Sequence, residues 1–358
     1  MPRLRRTHPG QPGYTRRRRG KGWQYLDRTG AAVRDPETVE RINGLVIPPA
    51  WQDVWITPYP NGHLQAVGTD AAGRRQYLYH PYWQESRHRA KFERVIDFGK
   101  QLPSARRTVD QHLALPGMPR ERALATAFRL LDRGHFRIGG EVYAETNGSF
   151  GLATLRREHV RRERNQLVFD YTAKSGLHRI ERIEDPELLD AVGTMRLRRG
   201  GGDELLVFRD GRHWRHIGSA DINAYLKDVL SENMSAKDFR TWHGTVLASV
   251  ALAQLATARD PRRKPSKTAT AKAVRTAVVA TSQLLGNTPA VARSSYIDPR
   301  VISAYEQDQT VSTAVTRALR TLAADLPDLT DAEQVGLVLS RVAAVPAVEK
   351  AVLTLLQS

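Results

Sequence analysis

The chain has 358 residues, enough for about two domains, and carries 55 Lys and Arg against 38 Asp and Glu, a net charge of +17. It has no cysteine, which excludes a disulfide framework, a thiolate metal site and a cysteine nucleophile. No apolar run approaches the roughly 18 residues of a membrane span, and the arginine-rich start lacks the apolar stretch of a secretory signal. The charge implies a polyanionic partner, with nucleic acid ahead of an anionic membrane surface.

Residues 1–22 hold Arg3, Arg5, Arg6, Arg16, Arg17, Arg18, Arg19 and Lys21 without one acidic residue, and glycines and Pro12 interrupt any periodicity. This composition predicts a flexible basic arm. From residue 23 to about 81 the signals are short strands. Trp23 and Tyr25 precede an Arg28-Thr29-Gly30 turn, Val54 to Ile56 precede Pro60-Asn61-Gly62, and residues 63–69 and 74–80 alternate about Ala71-Ala72-Gly73. Alternation sets Arg74 and Tyr77 apart from Arg75 and places Tyr77 and Tyr79 on one face.

The pattern turns helical near Tyr82. A helix is predicted over residues 83–100, a second capped by Ser104, and a third from Pro119 with Leu124, Ala127, Phe128 and Leu131 on its buried face. Arg156, Arg157, Arg161, Arg162 and Arg164 make a dense basic stretch next to the Lys174 hairpin that reads as lying near DNA, ahead of the alternative of a solvated charged helix with Glu158 and Glu163 interspersed. Residues 168–216 read as β-rich, with hairpins turning at Lys174-Ser175-Gly176 and Asp210-Gly211. Helices follow, including residues 269–285 with Gly286 as C-cap. Thr288-Pro289 and Asp298-Pro299 each restart a helix, and Thr330-x-x-Glu333 is a capping box. Val335, Val338, Leu339 and Val342 space like one packed helix face.

Several chemistries are missing. There is no GxxxxGK[ST] loop and no HExxH. His213 and His216 straddle Trp214 in a predicted strand, so alternation separates their rings. Glu141 and Glu145 form no two-metal cluster. Neither a metal nor a cofactor is expected.

What remains is basic or phenolic: Phe136-Arg137-Ile138-Gly139, Ala173-Lys174-Ser175-Gly176, Lys237-Asp238-Phe239-Arg240-Thr241-Trp242-His243, Gly286-Asn287-Thr288-Pro289 and Ser294-Ser295-Tyr296-Ile297-Asp298-Pro299. In this order the segments resemble the type IB DNA topoisomerases of the small bacterial and poxvirus kind, as do residues 137–160 and 73–80. The resemblance runs from about Trp23 to about Tyr305. It implies an α+β fold, with a small β-rich N-terminal domain and a larger, mainly helical catalytic domain holding a small β-sheet. The domains are then expected at 23–84 and 85–358, after the arm at 1–22.

The resemblance implies that Tyr296 is the nucleophile and that Arg137, Lys174 and Arg240 are the catalytic cations. Asn287 stands where poxvirus relatives carry histidine. It can donate a neutral hydrogen bond but carries no charge. His243, three residues after Arg240, is expected behind it or facing the core. Arg74, Tyr77, Tyr79, Tyr143, Thr154 and Lys237 match DNA-contact positions. The expected partner is duplex DNA, clamped by a monomer in the cytoplasm at the nucleoid, with no membrane and no small-molecule cofactor. Two alternatives stay open. A tyrosine recombinase shares the chemistry, although its usual HxxR order is here Arg240-Thr241-Trp242-His243. A basic duplex-coating protein explains the charge but not the ordered Arg, Lys, Arg and Tyr.

Overall fold

The computed structural model describes residues 3–140, 148–258, 265–322 and 332–358, of which 332–337 as backbone only. The fold is mixed α+β, and the chain divides into two compact units, Met1–Phe92 and Glu93–Ser358.

The first unit is β-rich. Strands β1 (Thr15–Arg19) and β2 (Gly22–Leu26) form a hairpin, and β3 (Gln52–Ile56), β4 (Leu64–Thr69) and β5 (Arg75–Tyr79) form an antiparallel sheet in that order. Helix α1 (Pro36–Gly44), capped by Asp35, lies between them in sequence. Tyr25, Ile42, Val54, Ile56 and Ala66 make the core.

The expected arm is corrected here, since residues 3–22 are folded into this unit. Arg5 bridges Gly62 and its guanidinium covers the Tyr59 ring, while Tyr14 exchanges both backbone bonds with Ile56. Arg16 donates to the carbonyls of Ile47, Pro48 and Trp51 and lies over Trp23. Gly13 admits the close approach: a Cβ there would sit 2.3 Å from the Trp55 indole nitrogen. Composition counts such arginines as solvated, but guanidiniums also cap carbonyls and stack on aromatic faces. On β5 the outward residues are Arg75, Tyr77 and Tyr79, so Arg75 shares the tyrosine face. Arg74 belongs to the preceding turn, where it pairs with Asp70 at 2.9 Å.

The boundary between the units falls within α2 (Pro81–Leu113). Two helices were expected over this stretch, with Ser104 as a cap. Pro103 deprives the helix of one backbone bond. Buried Phe98, Leu102, Ala105 and Val109 lie on both sides of it, and their packing holds the two halves in one helix.

The second unit continues with α3 (Arg120–Arg133) and a sheet of β6 (Val160–Glu163), β7 (Gln166–Ala173) and β8 (Leu177–Ile183). Next come α4 (Pro186–Leu197), a hairpin of β9 (Val207–Asp210) and β10 (His213–His216), and α5 (Ser219–Val229). Helix α4 interrupts the stretch read as β-rich, and Asp185 caps it through Glu187 and Leu188. Residues 156–164 are a 3₁₀ turn leading into β6, not a helix. Arg157 is spent on the carbonyls of Arg196 and Arg198, and Arg161 pairs with Glu163 and Asp170.

The centre of this unit is α6 (Ala236–Thr257), buried almost throughout. Around it in sequence follow α7 (Lys267–Leu285), α8 (Pro289–Ser295), α9 (Pro299–Glu306), α10 (Ser312–Thr321), α11 (Ala332–Ala343) and α12 (Pro346–Gln357). Leu339 and Val342 are fully buried, as their spacing predicts. The predicted capping box at Thr330 lies outside the described residues.

An ionic network ties α12 to the middle of the unit. Arg106 bonds both oxygens of Asp132 at 2.8 Å and also reaches Glu349, which accepts from the Trp242 indole at 3.0 Å. Burial alone would raise the Asp132 pKa, but the charge and bonds of Arg106 outweigh it and hold the pKa below its ordinary value. A depressed folded pKa contributes stability above the unfolded value of about 4 and loses it as pH falls through the folded one. Asp132→Asn is expected to cost about 3–5 kcal/mol at pH 7. The gap in melting temperature from wild type should close as pH falls below about 4, which thermal melts across that range would measure.

Candidate active site

The segment after α3 carries Arg137. Its backbone is held by Leu152, whose N–H donates to the Arg137 carbonyl at 2.8 Å, and by Ala153, which donates to Ile138 at 2.7 Å. Gly139 and Gly151 permit this contact, since a Cβ on Gly151 would lie 2.5 Å from the Gly139 Cα. The half-buried Arg137 guanidinium donates to the carbonyl of Gly286 at 2.7 Å and to Asn287 Oδ1 at 2.5 Å.

Gly286 and Asn287 close α7. Gly286 adopts φ 60° and ψ 50°, and the two N–H groups return to Gln283 and Ser282, satisfying the last carbonyls of the helix. Among the described residues, no acceptor lies within hydrogen-bond distance of the buried Asn287 Nδ2. Its spare donor lies on a side chain already bound to Arg137.

Arg240 comes from the second turn of α6 and is 4% exposed. It donates to the His135 carbonyl and, at 2.6 Å, to the Leu285 carbonyl at the end of α7. It therefore joins the Arg137 segment to the Asn287 cap. Burial first and the charge of Arg137 second push its pKa down to about 10, which leaves it protonated at neutral pH. Among the described residues its Nε makes no hydrogen bond of ordinary geometry.

Tyr296 ends α8, which Thr288 and Pro289 start as predicted, and Asp298 caps α9 immediately after it. The Arg240 guanidinium lies 5.1 Å from the centroid of the Tyr296 ring. The Tyr296 carbonyl accepts from Thr245 Oγ1 at 3.3 Å, and Thr245 Oγ1 in turn accepts from the Asp298 N–H at 3.1 Å. Gly244 sets the distance between α6 and this turn: a Cβ there would lie 2.7 Å from the Tyr296 carbonyl oxygen.

The structure thus brings Arg137, Arg240, Asn287 and Tyr296 together. Lys174 is exposed at the tip of the β7–β8 hairpin, where Ser175 at φ 68° and Gly176 at φ 71° make the turn. Below the tip Arg179 donates to the Gln283 and Leu284 carbonyls and pairs with Glu181. Burial lowers the pKa of Arg137 as it does that of Arg240, and the charge of Arg179 adds to the lowering of both. Sequence reading missed this third guanidinium. Its signal was the alternation of β8, whose inward residues Arg179, Glu181 and Ile183 are two polar and one apolar. His243 packs against Phe239 and His135, and burial pushes its pKa down to about 4, in keeping with a place behind Arg240.

The expected DNA contacts are dispersed. Tyr77 and Tyr79 are exposed and stacked, with centroids 6.1 Å apart, and Lys237 is exposed in the first turn of α6. Thr154 is buried, and its hydroxyl closes on Gly151 from within the turn. Tyr143, like Glu141 and Glu145, lies outside the described residues. Among the described residues no three His, Asp or Glu side chains gather as metal ligands, and no helix is long and apolar enough to cross a membrane.

A phenol beside two hydrogen-bonded guanidiniums, with spare donors next to them, is the arrangement of an enzyme that acts on phosphate esters. Residues 81–322 match the family model for the catalytic core of eukaryotic DNA topoisomerase I, and residues 22–70 match that for the N-terminal domain of bacterial DNA topoisomerase IB. DNA topoisomerase 1B of Acanthamoeba polyphaga mimivirus is 30% identical over 276 residues, 75% of this chain and 80% of that protein. DNA topoisomerase 1 of Daucus carota is 28% identical over 129 residues, 36% of this chain and 15% of the carrot protein. The chain belongs to the type IB DNA topoisomerase family, an isomerase class that acts on DNA. This membership decides against the recombinase and the non-catalytic coating protein.

Gly244→Ala is expected to displace Tyr296 by a fraction of an ångström to an ångström. Plasmid relaxation should slow by about 10²-fold, the scale of such misplacement. The melting temperature should fall as well, because overpacking costs about 1–3 kcal/mol against the roughly 1 kcal/mol that alanine gains in a helix interior.

Proposed function

We propose that the protein relaxes positive and negative supercoils by a transient single-strand break in duplex DNA, with Tyr296 as nucleophile. The Tyr296 oxygen, its proton released to solvent, attacks the phosphorus; a phosphotyrosyl bond forms to the 3′ end and the bond to the 5′ oxygen breaks. A free phenol, with pKa about 10, is a weak nucleophile. The Arg240 and Arg137 guanidiniums stabilise charge on the non-bridging phosphate oxygens. Asn287 Nδ2 is the further, neutral donor to the same group. Lys174 supplies the proton that the leaving 5′ oxygen takes up. The ester retains the bond energy, so the 5′ hydroxyl reverses the reaction without ATP and without an obligatory metal. Duplex contacts by Tyr77 and Tyr79 in the first unit and Lys237 in the second fit a monomer that grips DNA from both units.

The observation that carries this reading is the joint anchoring of Arg137, Asn287 and Arg240 at the end of α7, with Tyr296 beneath Arg240. Supercoiled plasmid incubated in EDTA without ATP should give a ladder of relaxed topoisomers; unchanged supercoiling would sink the proposal. Lys174→Ala should slow cleavage of an ordinary phosphodiester. Cleavage should recover when sulfur replaces the bridging 5′ oxygen, because a thiolate leaves without a proton. Absence of that recovery would remove Lys174 from the acid role.

A further inference from the structure

A second cluster of cations and aromatic rings lies wholly within the first unit. Arg6, His63, Tyr79, Trp83, Arg87 and His88 line a concavity of about 510 Å³, and among the described residues no acidic side chain lines it. The Arg6 guanidinium lies 4.4 Å from the centroid of the Trp83 ring and that of Arg87 5.7 Å from it. The His63 ring stands edge-on to Trp83 at 4.9 Å and tilted to Tyr79 at 6.4 Å. His63 Nδ1 accepts from the Thr7 N–H at 3.1 Å, which places the ring proton on Nε2 and makes that nitrogen a donor. Arg6 reaches the cluster only because the N-terminal segment is folded against β4, with His63 donating to the Arg5 carbonyl. Residue 6 lies outside both segments that match the family models.

The volume is that of a small-ligand cleft, and the chemistry selects the ligand. Indole and phenol faces take a flat ring by stacking, worth about 1–3 kcal/mol per base. A guanidinium stacked on an indole keeps its in-plane N–H groups for phosphate oxygens. Base and phosphate occur together in a nucleoside phosphate. In a duplex the base faces are covered by their neighbours, so this site fits a nucleotide already out of the stack, which has no unstacking cost of a few kcal/mol. We propose that the concavity binds an unpaired nucleotide of DNA, its base against Trp83 and its phosphate between Arg6 and Arg87. The proposal rests on DNA as the substrate of the family and is independent of the chemistry assigned to Tyr296.

The test uses the full chain carrying Tyr296→Phe, so that binding is read without cleavage. Fluorescence anisotropy compares a blunt duplex with the same duplex bearing a short unpaired overhang. The overhang should bind about tenfold tighter, the scale of stacking one base. Trp83→Leu and Arg87→Gln should each bring the ratio of the two affinities close to one, while Trp83→Phe, which keeps a stacking face, should preserve most of it. Taking the ratio cancels any general loss of affinity, and the exposed Arg87 can change without disturbing the fold. Equal affinities in the parent protein, or a preference that survives both Trp83→Leu and Arg87→Gln, would overturn the proposal. Millimolar dTMP, which carries the same base and phosphate, should compete for the site and bring the ratio towards one.

Discussion

Tyr296→Phe is expected to lower plasmid relaxation by about 10⁴-fold or more, the scale lost with a covalent nucleophile, while duplex affinity stays within about twofold. The contacts that position the residue come mainly from its backbone and ring, and the phenol adds an interaction with Arg240. Its carbonyl accepts from Thr245, its N–H donates to Ala292, and its ring lies beneath Arg240. All three persist in phenylalanine. Only the phenolic oxygen is lost. Weakened binding with residual relaxation would mean that Tyr296 holds DNA and another oxygen attacks.

Arg240→Ala has the second largest expected effect and a dual readout. Removing one donor to a developing oxyanion costs about 10²–10³ in rate. The same change leaves the His135 and Leu285 carbonyls without their donor, and each unmade buried bond costs about 1–3 kcal/mol. Cleavage rate and melting temperature should therefore fall together. Arg240→Lys should recover charge but little activity, since one ammonium cannot repeat the planar fork that spans two carbonyls and still presents Nε. Near-normal cleavage in Arg240→Lys would show that charge alone is needed.

The parts of the site legible in the sequence were those that local chemistry dictates. Gly286 closes α7 in the left-handed conformation, Thr288 and Asp298 cap helices that prolines start, and Ser175-Gly176 turn the hairpin that presents Lys174. These are decided within a few residues, so a sequence displays them. Asp185-Pro186 carries the same start signal as Asp298-Pro299 and opens α4, although the surrounding residues read as β-rich. Features that depend on what packs where were not legible. The arginines of residues 3–22 counted as a solvated arm until aromatic faces and carbonyls were found beneath them. Pro103 read as a break because the apolar packing on both sides of it is tertiary. Gly244 looked like one more small residue in an apolar helix, yet the absence of its side chain fixes the distance to Tyr296. Arg179 stood outside the motifs, and only the approach of β8 to the end of α7 brings it beside Arg137 and Arg240.

The proposed chemistry turns on one covalent bond. Stopping a reaction with labelled duplex DNA under denaturing conditions, digesting the protein and mapping the DNA-linked peptide by mass spectrometry tests it directly. The expected result is a single adduct on Tyr296 joined to a 3′ phosphate, with a free 5′ hydroxyl on the other fragment. An adduct on another residue, or a tyrosine joined to the 5′ end, would contradict the account.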